Sequence, residues 1–441
     1  MMSPLRLDAS EPVFPTGPAL SFGEEPEQAA SRETAEAAFV RRCLMVALFA
    51  SIFLQRFGLP AGDDSIALNL IVTLVVMLLL ALRGAFVLDP VRTAMFFVLA
   101  TVVSLSLAMN AGAASVPSMA LMLIIYAPFI FSLRSPEGVL EGCVRAFQKM
   151  VLVCAVLGVA QYVAQFFMNS ADLFTFSNIV PKEFLLPNFN TANPLTWDSP
   201  YFKSNGFFLL EPSTFSQYLA IAIILELLFF GATWRLLLYF IALPTSYSGT
   251  GLILLLFLLP WVLLHRRAYG AIAAMAAVGV LALVTGGLWN ADALLNRINE
   301  FGSDNSSATA RFIAGAWLIG QFLLSSAQDV LFGLGPGSYA QHAKLVPYEA
   351  HDPAWAKILF EYGLLGSAVF WPFFLTALFR ASPSGWISTA MLIGYMTFGG
   401  MLLDPRLQIL ILIFCVLPKR PAAVQDSTPP GWAPLSTRPA L

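Results

Sequence analysis

The chain has 441 residues, of which 58% are hydrophobic and only 11% charged. Soluble proteins carry roughly 25% charged residues, so the composition excludes the soluble classes and predicts an all-α polytopic integral membrane protein. The formal net charge of -2, with no basic stripe, argues against nucleic acid as a partner.

Residues 1–38 are polar and carry Glu24, Glu25, Glu27, Glu33 and Glu36. No apolar stretch follows a basic start, so this segment reads as a disordered cytoplasmic tail rather than a cleaved signal peptide. A membrane domain is predicted over 39–420. Apolar runs long enough to cross a bilayer are expected near 43–58, 66–82, 93–110, 116–133, 147–168 and 212–232. A short pair follows near 235–246 and 250–265, then 270–289, 355–379, 386–403 and 407–418. The count comes to about twelve transmembrane helices. Residues 421–441, with Pro421, Pro429, Pro430, Pro434 and Pro439, read as a second disordered cytoplasmic tail.

Positive charge orients these spans. With the N-terminus in the cytoplasm, Arg41, Arg42, Arg83, Arg92, Arg134, Arg145, Lys149, Arg235, Arg266, Arg267, Arg380, Lys419 and Arg420 share one face. The opposite, extracytoplasmic face receives two long loops, about 169–211 and 290–354. Keeping Arg235 and Arg266 on one side favours two short helices over 235–265 rather than a single kinked span. The same bookkeeping makes 312–328 a helix lying in the interface, where Trp317 suits the depth. No internal repeat of the transporter type is visible.

Cys43, Cys143, Cys154 and Cys415 lie in or beside apolar runs and read as small buried hydrophobes. The long loops hold no carboxylate set suited to a divalent metal, and no cofactor motif is present.

The polar interval from Gly333 to Gly366 stands out. It opens on the turn Gly333-Leu334-Gly335-Pro336-Gly337 and carries two of the three histidines, His342 and His351. Ionisable residues beside membrane spans are costly and mark functional sites by default. His351, followed by Asp352, is either a proton-transfer group or a histidine tying its own turn. Arg311 offers a fixed fork for phosphate oxygens or a snorkelling anchor. Lys203 and Glu211 bracket a polar block before the span at 212–232. Lys203 supplies a point charge for phosphate, and Glu211 is either a site acid or a helix-start acid favoured by the dipole. Ser246 and Tyr247 lie in a polar break, where hydroxyls satisfy freed backbone groups or line a cavity.

Four blocks in order carry a resemblance: FKSNGFFLLEPSTFSQYLA, PTSYSGTGLILLLF, TARFIAGAWL with DVLFGLGPGSY, and HDPAWAKILFEYGLLG. Together, over roughly residues 200–366, they resemble the O-antigen ligase and polymerase superfamily of bacterial envelope glycosyltransferases. The family usually has arginine at Lys203, asparagine at Asp352 and arginine at Ser248. The resemblance implies a GT-C-like membrane fold in the bacterial inner membrane with a periplasmic site. It implies a metal-independent, inverting glycosyltransferase without a cofactor. The partners implied are a polyprenyl (undecaprenyl) diphosphate-linked oligosaccharide, the bilayer, and a chain-length regulator or export complex. Arg311 and His351 would be catalytic, and Lys203, Glu211, Ser246, Tyr247 and Asp352 would bind substrate. The first expectation is a polymerase of exopolysaccharide or O-antigen repeat units. The alternatives are a ligase moving finished glycan to lipid A-core or protein, and a transporter or flippase.

Overall fold

A computed structural model describes residues 26–61, 64–134, 138–168, 171–187, 189–190, 192–195, 199–270, 313–346, 350–397 and 402–418. The described residues are mostly helical. Helices α1 (Pro26–Phe53), α2 (Leu68–Leu82), α3 (Pro90–Met109), α4 (Val116–Tyr126) and α5 (Val139–Ala164) precede the first long loop. Helices α6 (Pro212–Phe229), α7 (Trp234–Thr245) and α8 (Gly249–His265) follow it. After the second loop come α9 (Ala314–Phe322), α10 (Ala327–Phe332), α11 (Ser338–Ala343), α12 (Ala354–Arg380), α13 (Gly385–Thr397) and α14 (Pro405–Ile411), the last running on as a π-helical turn over Leu412–Val416. Two two-stranded antiparallel sheets are also present: the hairpin Gly58–Ala61 with Asp64–Ala67, and Phe86–Leu88 paired with the distant Phe131–Leu133.

Four of these helices are long and apolar enough to cross a membrane: Pro90–Met109, Val139–Ala164, Pro212–Phe229 and Ala354–Arg380. Shorter apolar helices pack among them, so the chain is a membrane-embedded helical protein. The span expected at 270–289 lies outside the described residues. One boundary differs from expectation. Helix α1 starts at Pro26, inside the segment expected to be a tail. Its first turns are rich in Ala, Glu, Gln and Arg, which favour helix wherever an anchored helix follows to propagate from.

Helix α6 is the axis of the bundle. Every residue from Pro212 to Leu227 is buried, as expected of a helix apolar around most of its circumference. Its two ends fix the direction of its neighbours. At its C-terminal end Glu226 pairs with Arg235 at the start of α7, with Oε1 2.9 Å from Nη2. At its N-terminal end the Thr250 hydroxyl of α8 donates to Ser213 O (3.0 Å), and Gly251 N–H donates to Ser216 Oγ (3.0 Å). Residues 234–265 are therefore two antiparallel helices, and Arg235 and Arg266 share one end.

That arginine-rich end is tied together by backbone acceptors and a carboxylate. Arg92 donates to Val416 O at 3.0 Å, Leu133 N–H to Leu417 O at 2.8 Å, and Arg380 lies 3.8 Å from Asp89. Asp89 also caps α3, accepting from the N–H groups of Val91 and Arg92 at 3.0 and 3.1 Å ahead of Pro90. The described parts of both long loops gather at the opposite end. In the stretch 312–328, a 3-10 turn at Leu323–Ser325 separates α9 from α10. The nine residues of α9 reach only about 13 Å, less than half of a hydrocarbon core about 30 Å thick.

Candidate functional site

The glycine turn is held on three sides. Gly333, Gly335 and Gly337 all adopt positive φ, at 75°, 90° and 81°, a region open to glycine at little cost. Helix α12 breaks at Gly363 (φ 67°, ψ -164°), and the turn fills the break. Leu334 N–H donates to Phe360 O (2.9 Å) and Gly335 N–H to Glu361 O (3.0 Å). From the other side, Asn110 at the end of α3 donates to Gly333 O (3.1 Å), and Ser115 N–H donates to Pro336 O (2.7 Å). Ser106 of α3 donates to Glu361 O at 2.9 Å.

This clamp positions the segment entering α12. The Tyr339 hydroxyl donates to His351 O at 2.8 Å. Asp352 follows His351 at the mouth of α12. Its carboxylate is taken by Lys357, one turn into α12, with Oδ2 2.7 Å from Nζ. Lys357 also lies 3.8 Å from Glu361. The Glu361 carboxylate is fully buried and faces the N–H groups of Gly337 and Tyr339 without a hydrogen bond of full geometry. His342 belongs to the packing instead: its Nδ1 meets Ser338 O at 2.8 Å, and its ring lies between Phe322 and Phe360.

A second cluster forms at the N-terminus of α6. Glu211 occupies the cap position before Pro212 but caps no backbone N–H; its carboxylate accepts from Ser213 Oγ at 2.8 Å. Beside it Arg406, at the start of α14, is almost fully buried and grips Asp404 with its fork, Nε lying 2.8 and 2.7 Å from the two oxygens. Arg406 also donates to Thr214 Oγ1 at 2.8 Å. Lys203 enters this end of the bundle through its backbone, which donates to Asn193 O at 2.8 Å, next to Ser204 N–H on Thr245 O. Arg56, just past α1, holds the loop with bonds to Phe174 O (2.7 Å) and Phe207 O (3.2 Å).

Of the polar-break residues, Ser246 is buried and donates to Leu243 O (2.7 Å), so its hydroxyl satisfies the helix end instead of lining a cavity. Tyr247 is more exposed, has φ 45°, and its hydroxyl lies 3.1 Å from that of Tyr162. The structure thus brings His351 and Asp352 together with Lys357, Glu361 and Tyr339, and Glu211 together with Arg406, Asp404 and Thr214. Arg311 lies outside the described residues. Sequence reasoning passed over Lys357 and Arg406. The signal for both is an ionisable residue within an apolar helix, four residues from Glu361 in one case and directly after Asp404-Pro405 in the other. No protein-family model matches the chain, and no curated protein sequence matches it.

Proposed function

We propose that the chain is a bacterial envelope polysaccharide polymerase. It joins polyprenyl-diphosphate-linked oligosaccharide repeat units, of exopolysaccharide or O-antigen type, at the outer face of the inner membrane. In this reading the bundle is GT-C-like with about twelve spans, and the end that gathers both long loops faces the periplasm. Cations of those loops, Arg311 and Lys203, hold the donor diphosphate, a leaving group that needs charge stabilisation. His351 takes the proton of the acceptor hydroxyl. The acceptor oxygen bonds to the anomeric carbon as the carbon–diphosphate bond breaks, and polyprenyl diphosphate leaves with the electron pair. One displacement inverts the anomeric centre without a covalent nucleophile.

The observation that carries the reading is the clamp on the glycine turn. It fixes His351 at the end of the bundle that also holds Lys203 and Glu211, although these residues lie far apart in sequence. A second reading, a transporter or flippase, is favoured by Lys357 and Glu361, buried in a span that breaks at Gly363. Those charges sit in the first turns of α12, by the loops, whereas an alternating-access site lies near mid-membrane, so the transferase is preferred.

The test is purified protein in proteoliposomes with lipid-linked repeat units. A polymerase makes a ladder of longer lipid-linked glycans, with or without chelator. Transfer to an added acceptor without elongation makes it a ligase. Movement of unaltered substrate across the bilayer makes it a transporter.

A further inference from the structure

Lys357 sits between two carboxylates of different character. Asp352, on the loop side, keeps 32% of its side chain exposed, while the side chains of Lys357 and Glu361 are 6% and 0% exposed. The ammonium is 2.7 Å from Asp352 and 3.8 Å from Glu361, so a movement of about 1 Å exchanges one partner for the other. Neither Glu361 oxygen has a hydrogen bond of full geometry. A buried carboxylate in that condition is costly, so it attracts the ammonium. Lys357 also lies over the Tyr339 ring, 6.0 Å from its centroid, and the Tyr339 hydroxyl holds His351 O. The lysine therefore packs on the side chain that fixes the His351 segment.

We propose that Asp352 binds hydroxyls of the acceptor glycan, and that Lys357 is its exchangeable counter-ion, passing to Glu361 when the sugar arrives. This rests on the glycosyltransferase reading and adds Lys357 and Glu361 to it as positioning residues for acceptor binding. A ligand reaching this end of α12 meets Asp352 first, and carboxylates make strong charge-assisted bonds to hydroxyl donors. While Lys357 occupies Asp352, part of that acceptor capacity is used. Glu361 lets the lysine retreat without leaving an unpaired buried cation, whose cost would otherwise fall on substrate binding. The spacing of four residues between Lys357 and Glu361 keeps both on one face of the helix throughout.

The experiment is steady-state elongation by the full-length protein in proteoliposomes, varying acceptor concentration. Glu361→Gln keeps the shape but removes the second partner's charge. It should raise the acceptor KM roughly tenfold, the worth of a bond to a charged group, and leave kcat within about twofold. Lys357→Met removes the cation that occupies Asp352 and should instead lower KM, and Lys357→Arg, which keeps the cation, should leave it near the wild-type value. A role confined to folding would lower thermal stability and yield of the Gln and Met variants with KM unchanged. That result overturns the proposal, as does failure of both variants to accumulate. If the wild-type protein does not elongate lipid-linked units at all, the polymerase reading falls and takes this one with it. If it elongates and the variants keep wild-type KM, only this inference falls.

Discussion

Gly333 and Gly363 meet backbone to backbone: a Cβ on Gly333 would collide with the backbone of Glu361 and Tyr362, and a Cβ on Gly363 with Leu331 O and Gly333 N. The contact joins the loop turn to the break in α12. It holds in place the entry to that helix, where Asp352, Lys357 and Glu361 cluster beside His351.

This contact predicts a specific pattern of destabilisation. Gly333→Ala and Gly363→Ala combine left-handed strain with overpacking and should each cost roughly 2–5 kcal/mol. Gly84 also has positive φ, at 68°, but a Cβ there would have no neighbour within 4 Å. Gly84→Ala therefore isolates the strain and should cost about 1–2 kcal/mol. Thermal unfolding of the full chain in detergent measures all three; equal losses would refute the backbone contact.

Arg406 and Asp404 form a largely buried pair at the start of α14. Removing one partner leaves a buried charge, at a cost of about 3–5 kcal/mol. Arg406→Met should be strongly destabilising, and adding Asp404→Leu should recover part of the loss. Unfolding midpoints of the two single variants and the double variant check this, and strict additivity would show that the pair is uncoupled.

The charge distribution predicts that both long loops are extracytoplasmic. In a cysteine-free background, Glu183→Cys and Ala340→Cys should react with a membrane-impermeant maleimide on intact cells, and Arg266→Cys should react only after permeabilisation. Protection of either loop position would remove the shared site.

His351→Ala should leave folded, inserted protein whose elongation rate falls by about 10²–10⁴-fold, the usual cost of removing a proton-transfer group. Arg311→Lys keeps the charge but loses the fork and should retain partial activity at most. The rate per folded protein is the readout. A near wild-type rate for His351→Ala would make this histidine a residue of its own turn.

Much of the helical framework was legible because apolar runs here end at charges, prolines and glycines. The run expected at 212–232 is α6 at Pro212–Phe229, and the pair expected over 235–265 is α7 and α8, split at Ser246–Ser248. The start of α1 was not legible, since a polar Ala- and Glu-rich segment reads equally as tail or helix until something anchors it. In the candidate site, the glycine turn and its position beside His351 could be read from local spacing. Its partner Gly363 could not, because only the fold brings residues thirty apart into backbone contact. The pairing of Asp352 with Lys357 was missed for a related reason: they lie five residues apart in sequence, and it is the first turn of α12 that delivers Lys357 to the carboxylate. Ser246 proved to serve its own helix end, an outcome set by its burial, which local sequence does not reveal.

Elongation of lipid-linked glycan by this protein would leave a direct trace in the cell. The most direct measurement is the lipid-linked glycan profile of cells in which its gene is deleted. Single repeat units on polyprenyl diphosphate should accumulate and the polymer should be lost, both effects reversed by the wild-type chain and not by His351→Ala. Accumulation of long lipid-linked polymer, or a profile unchanged by the deletion, would contradict elongation.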